Sequence, residues 1–131
     1  MTGYTLRNLA DDVENSSPGY GMGDTLEGHF ATGPLEFEQG GMSLQRLKPN
    51  ARMPFGHRHA TQEEVYVVVG GNGRIKVDDE ILELRQWDAV RVPAPIIRNL
   101  EAGPEGMDVV VFGAPHTGPG DAEMLDGWWS D

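Results

Sequence analysis

Hydrophobic residues along this chain recur at the spacing of β-strands rather than of helices. The stretch from Glu64 to Gly71, "EVYVVVGG", is β-branched and aromatic on both faces and ends in glycine, which is typical of an interior strand. The runs "GRIKV" and "EILEL" flank Asp78 and Asp79, and this arrangement predicts a hairpin. No stretch keeps a period of about 3.6 residues over the length of a helix.

The remaining apolar runs are short and mostly alternate, so they predict further strands: "LEGHFAT", "LEFEQGG", "MSLQRL", "DAVRV", "IIRNLE" and "MDVVVFG". The run "GGNG" lies between two strand signals and does not open a helix, so it is interpreted as a turn. About eight to ten antiparallel strands in one domain are typical of a sandwich or a barrel. The pattern does not choose between these two folds.

The 131 residues suit one domain, predicted to span 1–131 with a core at about 26–114. Residues 1–25 are polar and rich in turn formers, so they are predicted to form an N-terminal arm. Residues 115–131 are predicted to form a C-terminal tail that carries Trp128 and Trp129. Exposing both indoles would be costly, so we expect them to pack on the body or on a partner subunit.

The composition narrows the possible functions. With no cysteine, the chain has neither disulfides nor thiolate ligands, which fits a cytoplasmic protein. Ten Lys and Arg stand against 21 Asp and Glu, for a net charge of −11, and such a chain repels nucleic acid and anionic lipid. The sequence starts without the apolar segment of a signal peptide and has no apolar run of membrane-spanning length, so we expect no membrane role.

A candidate metal site lies in "FGHRHATQEE". If the chain is extended there, His57 and His59 point to the same side, roughly 6.5–7 Å apart, and Arg58 points to the other. Glu64 opens the next strand, and the short link can fold it back beside the two histidines. Neutral imidazoles with one carboxylate suit a divalent ion such as Zn, Mn, Fe or Ni. The alternative is that these are ordinary surface residues, since the motif is short.

This stretch resembles the first motif of the cupin superfamily, which reads glycine, H-x-H, three or four residues, Glu, six residues and glycine. His57, His59, Glu64 and Gly71 match that motif, whereas Ala51 stands where the leading glycine would be. The stretch "WDAVRVPAPIIRNLEA" is similar to the second motif, and the two motifs are separated as they are in cupins.

The second motif is degenerate in this chain. Pro93 matches, but Trp87 and Pro95 replace its two glycines, Arg98 replaces its histidine and Ala102 replaces its asparagine. The resemblance covers residues 42–113 well and implies a double-stranded β-helix, the all-β jelly-roll barrel with a ligand pocket inside. It also implies the metal ligands His57, His59 and Glu64, with Arg98 where the fourth ligand would stand.

Arginine cannot ligate a cation because its guanidinium stays protonated. Two arrangements are therefore open. Arg98 turns inward, replaces the charge of the metal and pairs with Glu64 or Glu63, or it swings aside and leaves a site with three ligands. In the first case the pocket is metal-free or binds metal weakly. Tyr66 shares the face of Glu64 and is expected to line the pocket with Arg98 and Glu63.

Three functions follow from these alternatives. The preferred one is a small-molecule pocket inside the barrel, for a small polar or anionic ligand. The second is a metal-dependent dioxygenase or isomerase that acts on a small organic acid through His57, His59 and Glu64. The third is a structural role in which Arg98 closes the pocket. We also expect a homodimer, because sheet edges need covering.

Overall fold

The fold is described by a computed structural model, which covers residues 3–115 and 122–129. Eight strands form one sheet in this part of the chain: β1 Leu26–Phe30, β2 Gly41–Leu47, β3 Phe55–His59, β4 Glu64–Val77, β5 Glu80–Leu84, β6 Ala89–Val92, β7 Arg98–Gly113 and β8 Ala122–Asp126. The predicted all-β class is confirmed: one 3-10 turn, Ser17–Tyr20, accompanies the strands, and the described residues contain no α-helix.

The sheet curls into an incomplete barrel. All of its pairings are antiparallel, and the order β1-β2-β7-β3-β8 is joined by β4, which pairs with β5, β6 and β7. Inward side chains of β4 and β7 make much of the core, including Val68, Ile75, Leu100 and Val109. None of the described residues belongs to a helix with the length and apolarity needed to cross a bilayer.

Strands β4 and β7 are longer than the sequence predicts. The "GGNG" run, predicted as a turn, lies inside β4, and the pairing with β7 shifts register between Val68 and Gly70 and again between Gly71 and Gly73. A Cβ on Gly71 or Gly73 would collide with the backbone of β7, and Gly71 has a φ of +68°. The glycines therefore mark a bend in a continuous strand pair, where two backbones approach closely.

One predicted strand is absent. The segment that contains "LEFEQGG" is mostly turn, with the amide of Leu35 donating to Ala31 and that of Phe37 donating to Thr32, and a strand starts only at Gly41. Its apolar residues alternate over only a few positions. This weak strand signal does not outweigh the local turn hydrogen bonds. Tertiary context decides such short runs.

The tail predicted at 115–131 contains β8, which pairs with β3 along its whole length. Trp129 donates its indole N–H to the carbonyl of Met53 at 2.7 Å, and Lys76 lies 4.3 Å from the Trp128 ring. Both indoles thus pack on the barrel of their own chain. The parts of the predicted arm and tail at 1–2, 116–121 and 130–131 lie outside the described residues. The homodimer stays a prediction.

A strained turn connects β5 to β6. The amide of Asp88 donates to the carbonyl of Arg85 at 3.0 Å, and Trp87 between them has a φ of +76°. A positive φ at the third turn position is the geometry of a type II turn, which favours glycine. Trp87 is also one of the positions where the second cupin motif has glycine. The residue is 71% exposed, so it gains little from burial.

We therefore expect Trp87→Gly to stabilise the protein relative to Trp87→Ala by about 1 kcal/mol. Both variants lose the exposed ring, but only glycine relieves the left-handed backbone, which costs a residue with a Cβ about 1–2 kcal/mol. Urea unfolding of the three proteins measures the difference. Equal stability of the glycine and alanine variants would show that the turn is not strained.

Candidate functional site

His57 and His59 lie on β3 and point into the barrel. Their ring centroids are 5.3 Å apart and the rings are perpendicular. Arg58, between them, points outward and donates to Glu123 of β8 at 2.9 Å. The alternation of an extended strand thus places the two imidazoles on one side, as predicted from the spacing.

Glu64, the first residue of β4, completes a cluster with the two histidines. Its Oε1 lies 3.2 Å from Nε2 of His59 and 3.9 Å from Nε2 of His57. One potential ligand atom from each of the three side chains lies within 4.8 Å of the others. This spacing could hold a metal ion, and the predicted convergence of the three residues is present in the structure.

Arg98, the first residue of β7, pairs with the same carboxylate. Its Nη2 donates to Oε1 of Glu64 at 2.9 Å, and its side chain is 0% exposed. Its Nη1 donates to the carbonyls of Ala94 and Ile96 at 3.1 and 2.7 Å. Of the two arrangements open from the sequence, the structure has the inward one, and the guanidinium is held from both sides.

Tyr66 is part of the same network. Its hydroxyl donates to Oε1 of Glu64 at 3.1 Å and accepts from Nε of Arg98 at 3.3 Å. Glu63 lies elsewhere: its carboxylate accepts from Arg91 at 2.7 Å on an exposed part of the surface. Adjacent strand residues point to opposite faces, so Glu64 faces inward and Glu63 outward.

Burial and the neighbouring charges shift the pKa values of several groups in this network. Burial would raise the pKa of Glu64, but the nearby imidazoles of His57 and His59 and the charge of Arg98 bring this pKa well below its ordinary value of 4.5. Burial lowers the pKa of His57 despite its contact with Glu64, and burial raises the pKa of Tyr66. Glu64 is therefore ionised at neutral pH. It stabilises the fold there, and this contribution declines as the pH falls below 4.5.

The charge environment does not fit a tightly bound dication, although the spacing does. Oε1 of Glu64, the oxygen nearest to both histidines, already accepts hydrogen bonds from Arg98 and Tyr66. An ion bound to it at about 2 Å would lie within about 5 Å of a guanidinium that is fixed by backbone carbonyls. Glu64 is the one carboxylate among the three potential ligands. Because it is already paired with Arg98, its negative charge is not available to a metal ion.

A cavity of about 550 Å³ opens beside the cluster. His57, His59, Glu64 and Tyr66 line one part of it, whereas Arg98 lies behind Glu64 and Tyr66 and does not line it. From the sequence, Arg98 and Glu63 were expected to line the pocket with Tyr66. In the structure neither residue borders the cavity, because Arg98 is fully covered by its partners and Glu63 faces outward.

Several lining residues were not found from the sequence. Gln62, Asn99, Ala122 and Met124 all contribute to the wall. Ala122 and Met124 do so because β8 pairs with β3, with His59 opposite Ala122 and His57 opposite Met124. The alternation in "AEMLD" was the available signal, but five residues at the end of a glycine-rich segment predict a strand only weakly.

The buried pair of Arg98 and Glu64 should dominate local stability. We expect Arg98→Met and Glu64→Gln each to lower the free energy of unfolding by about 3–5 kcal/mol, because each leaves its partner buried and uncompensated. The double variant should be more stable than the sum of the two losses implies, by at least about 1 kcal/mol. Urea unfolding of the four proteins at pH 7 measures this coupling.

The exposed pair of Arg91 and Glu63 is the matched control. Arg91→Met should cost no more than about 1 kcal/mol, because both side chains are more than half exposed. Strictly additive losses at Arg98 and Glu64, or equal losses at Arg91 and Arg98, would show that the buried contact does not stabilise the site.

Comparisons with known proteins support the fold. No protein-family model matches the sequence, and no curated protein matches it. A cupin protein, BF4112, from Bacteroides fragilis has a TM-score of 0.68 and 22% identity, over 98% of this chain and 93% of that one. Streptomyces PAC13, a nucleoside dehydratase solved with uridine, has a TM-score of 0.65 and 14% identity, over 77% of this chain and 78% of that one.

Oxalate decarboxylase from Bacillus subtilis is also similar, with a TM-score of 0.67 and 18% identity over 77% of this chain. The match spans only 28% of the decarboxylase. Identities this low show the fold and not the activity. The resemblance predicted from the two sequence motifs is confirmed at that level, and the protein is a small protein with the cupin fold.

Proposed function

We propose that this protein binds a small molecule inside its barrel and holds no tightly bound metal there. The observation that carries the proposal is the 2.9 Å contact between Nη2 of Arg98 and Oε1 of Glu64. The guanidinium takes the position of a fourth metal ligand and supplies the positive charge that a metal would bring. Glu64, Tyr66 and the two histidines then serve as a hydrogen-bonding wall for the ligand.

The repulsion between the Arg98 guanidinium and a bound dication supports the proposal of a metal-free site. A dication about 5 Å from the guanidinium is repelled by on the order of 6 kcal/mol at an effective dielectric constant of about 20. The repulsion offsets much of what two imidazoles and one shared carboxylate supply. Arg98 does not easily move away, because it would give up hydrogen bonds to Ala94 and Ile96 as well as to Glu64.

A second candidate is a metal-dependent cupin enzyme that uses His57, His59 and Glu64. The spacing of their potential ligand atoms favours it, and proteins of similar fold include a decarboxylase and a dehydratase. It requires Arg98 to release Glu64, or an anion to lie between the guanidinium and the ion. The metal content of the purified protein therefore separates the two functions.

Arg98→His tests the proposal. Removing the guanidinium ends the repulsion and adds a third imidazole as a fourth potential ligand beside His57, His59 and Glu64, so zinc or manganese affinity should rise at least about a hundredfold, equivalent to about 2.7 kcal/mol. Calorimetric titration of the unmodified protein and the variant at pH 7 measures the change. Circular dichroism and thermal unfolding check that the variant is folded.

Arg91→His is the control, since it makes the same substitution at an exposed arginine on β6. Its affinity for metal should equal that of the unmodified protein. Tight binding of one metal per unmodified chain would overturn the metal-free proposal and favour the enzyme. If folded Arg98→His also fails to bind, the two histidines and Glu64 do not form a ligand set even without the guanidinium.

A further inference from the structure

We infer that the cavity takes an uncharged, largely apolar and preferably aromatic molecule, with a hydroxyl or carbonyl group that hydrogen-bonds at its histidine end. This inference rests on the proposed small-molecule function and names the class of ligand. It replaces the small polar or anionic ligand expected from the sequence, which assumed that Arg98 faces the ligand.

The charges around the cavity disfavour an ionic ligand. Among the described residues that line it, none is lysine, arginine or aspartate, and Glu64 is its single acidic side chain. That carboxylate is offset by Arg98 at 2.9 Å. A carboxylate or phosphate would therefore find no cation to pair with, and an amine would compete with a guanidinium for Glu64. Burying an unpaired charge is far more costly than burying an apolar group.

Most polar side chains of the wall are already used within the protein. Gln45 donates to Ser43 at 3.3 Å, and Gln62 and Asn99 each donate to a backbone carbonyl, at 3.0 and 2.7 Å. His57 differs, because its Nδ1 has no hydrogen-bond partner in the part of the chain that the structure describes. The His57 ring lines the cavity, so a hydroxyl or carbonyl group on a ligand is the chemistry that would satisfy this nitrogen.

The rest of the wall is apolar and adaptable. Four methionines contribute to it, together with phenylalanine, leucine and valine side chains: Met22, Met42, Met53, Met124, Phe30, Phe55, Leu26 and Val111. Thioethers pack well against the edges of aromatic rings and adjust to irregular shapes. A volume of about 550 Å³ lies in the usual range for small organic ligands. This wall favours a ligand with one or two rings.

Two fluorescent probes with the same ring system test the inference. N-phenyl-1-naphthylamine is uncharged, and 8-anilino-1-naphthalenesulfonate adds one sulfonate to the same skeleton. We expect the uncharged probe to saturate at one per chain and to bind at least tenfold more tightly than the sulfonate. Equal or tighter binding of the sulfonate, or no saturable binding of either probe, would overturn the inference.

Val111→Phe locates the bound probe, because Val111 lines the cavity. The larger side chain should lower the affinity for the uncharged probe at least tenfold. Phe112→Ala is the control: Phe112 is the next residue of β7, is partly exposed and does not line the cavity, so its loss should leave the affinity unchanged. Equal effects of the two substitutions would place the probe outside the barrel and contradict the inference.

Met124→Arg gives a second test at a position that tolerates substitution. Met124 lines the cavity from β8 but is 60% exposed, so an arginine there does not disturb the core. The new cation should raise the affinity for the sulfonate probe at least tenfold and change that for the uncharged probe less than threefold. Phe112→Arg, a new cation outside the cavity, should change neither. An unchanged preference in Met124→Arg would show that wall charge does not select the ligand.

The results of the probe titration and of the metal titration test the two proposals separately. If the probes behave as expected but the unmodified protein binds a metal tightly, the ligand class stands and the metal-free function falls. If metal does not bind and the sulfonate is preferred, the metal-free function stands and the uncharged ligand class falls.

Discussion

The ion pair between Arg98 and Glu64 is the constraint on which the site depends. Both charges lie inside the barrel, where an unpaired charge is not tolerated, so each fixes the position of the other. Arg98 also binds the carbonyls of Ala94 and Ile96, and it thereby ties the segment before β7 to the start of β4. Glu64 in turn approaches His59 and His57. One guanidinium therefore connects three strands around the cavity.

In the proposed metal-free site, Arg98 links elements that a metal ion would otherwise link. A bound metal would draw ligands from β3, β4 and β7 to one point. The planar guanidinium instead donates to Glu64 and Tyr66 of β4 and to carbonyls of the segment before β7, and it reaches β3 only through Glu64. Its several donors in fixed directions suit it to this role better than an ammonium group. Because the positive charge lies behind Glu64 and Tyr66 rather than in the cavity, the site becomes electrically neutral toward a ligand.

Much of the fold could be predicted from the sequence, since alternation and the two motifs identify the class and most of the strands. The site residues on β3 and β4 were predicted because a period of two fixes the faces of His57, His59 and Glu64. The inward position of Arg98 was the favoured one of two arrangements, but both satisfy the sequence and only tertiary packing decides between them. A glycine-rich run looks the same in a sequence at a turn and at a bend within a strand. The run around Gly71 was therefore interpreted as a turn, although it forms a bend in β4.

The C-terminal strand was the least predictable part of the site, and it has a direct effect on the cavity. Met124 and Ala122 reach the wall only because β8 pairs with β3, and this pairing closes a sequence separation of more than 60 residues. The indole contacts of Trp129 with Met53 and of Trp128 with Gly56 and Lys76 hold the chain beyond β8 against the barrel. The apolar character of the wall is thus set by residues from both ends of the domain. The two motifs supply the hydrogen-bonding side chains at one end of the cavity. The rest of the chain supplies most of the apolar wall, which determines the kind of ligand that fits.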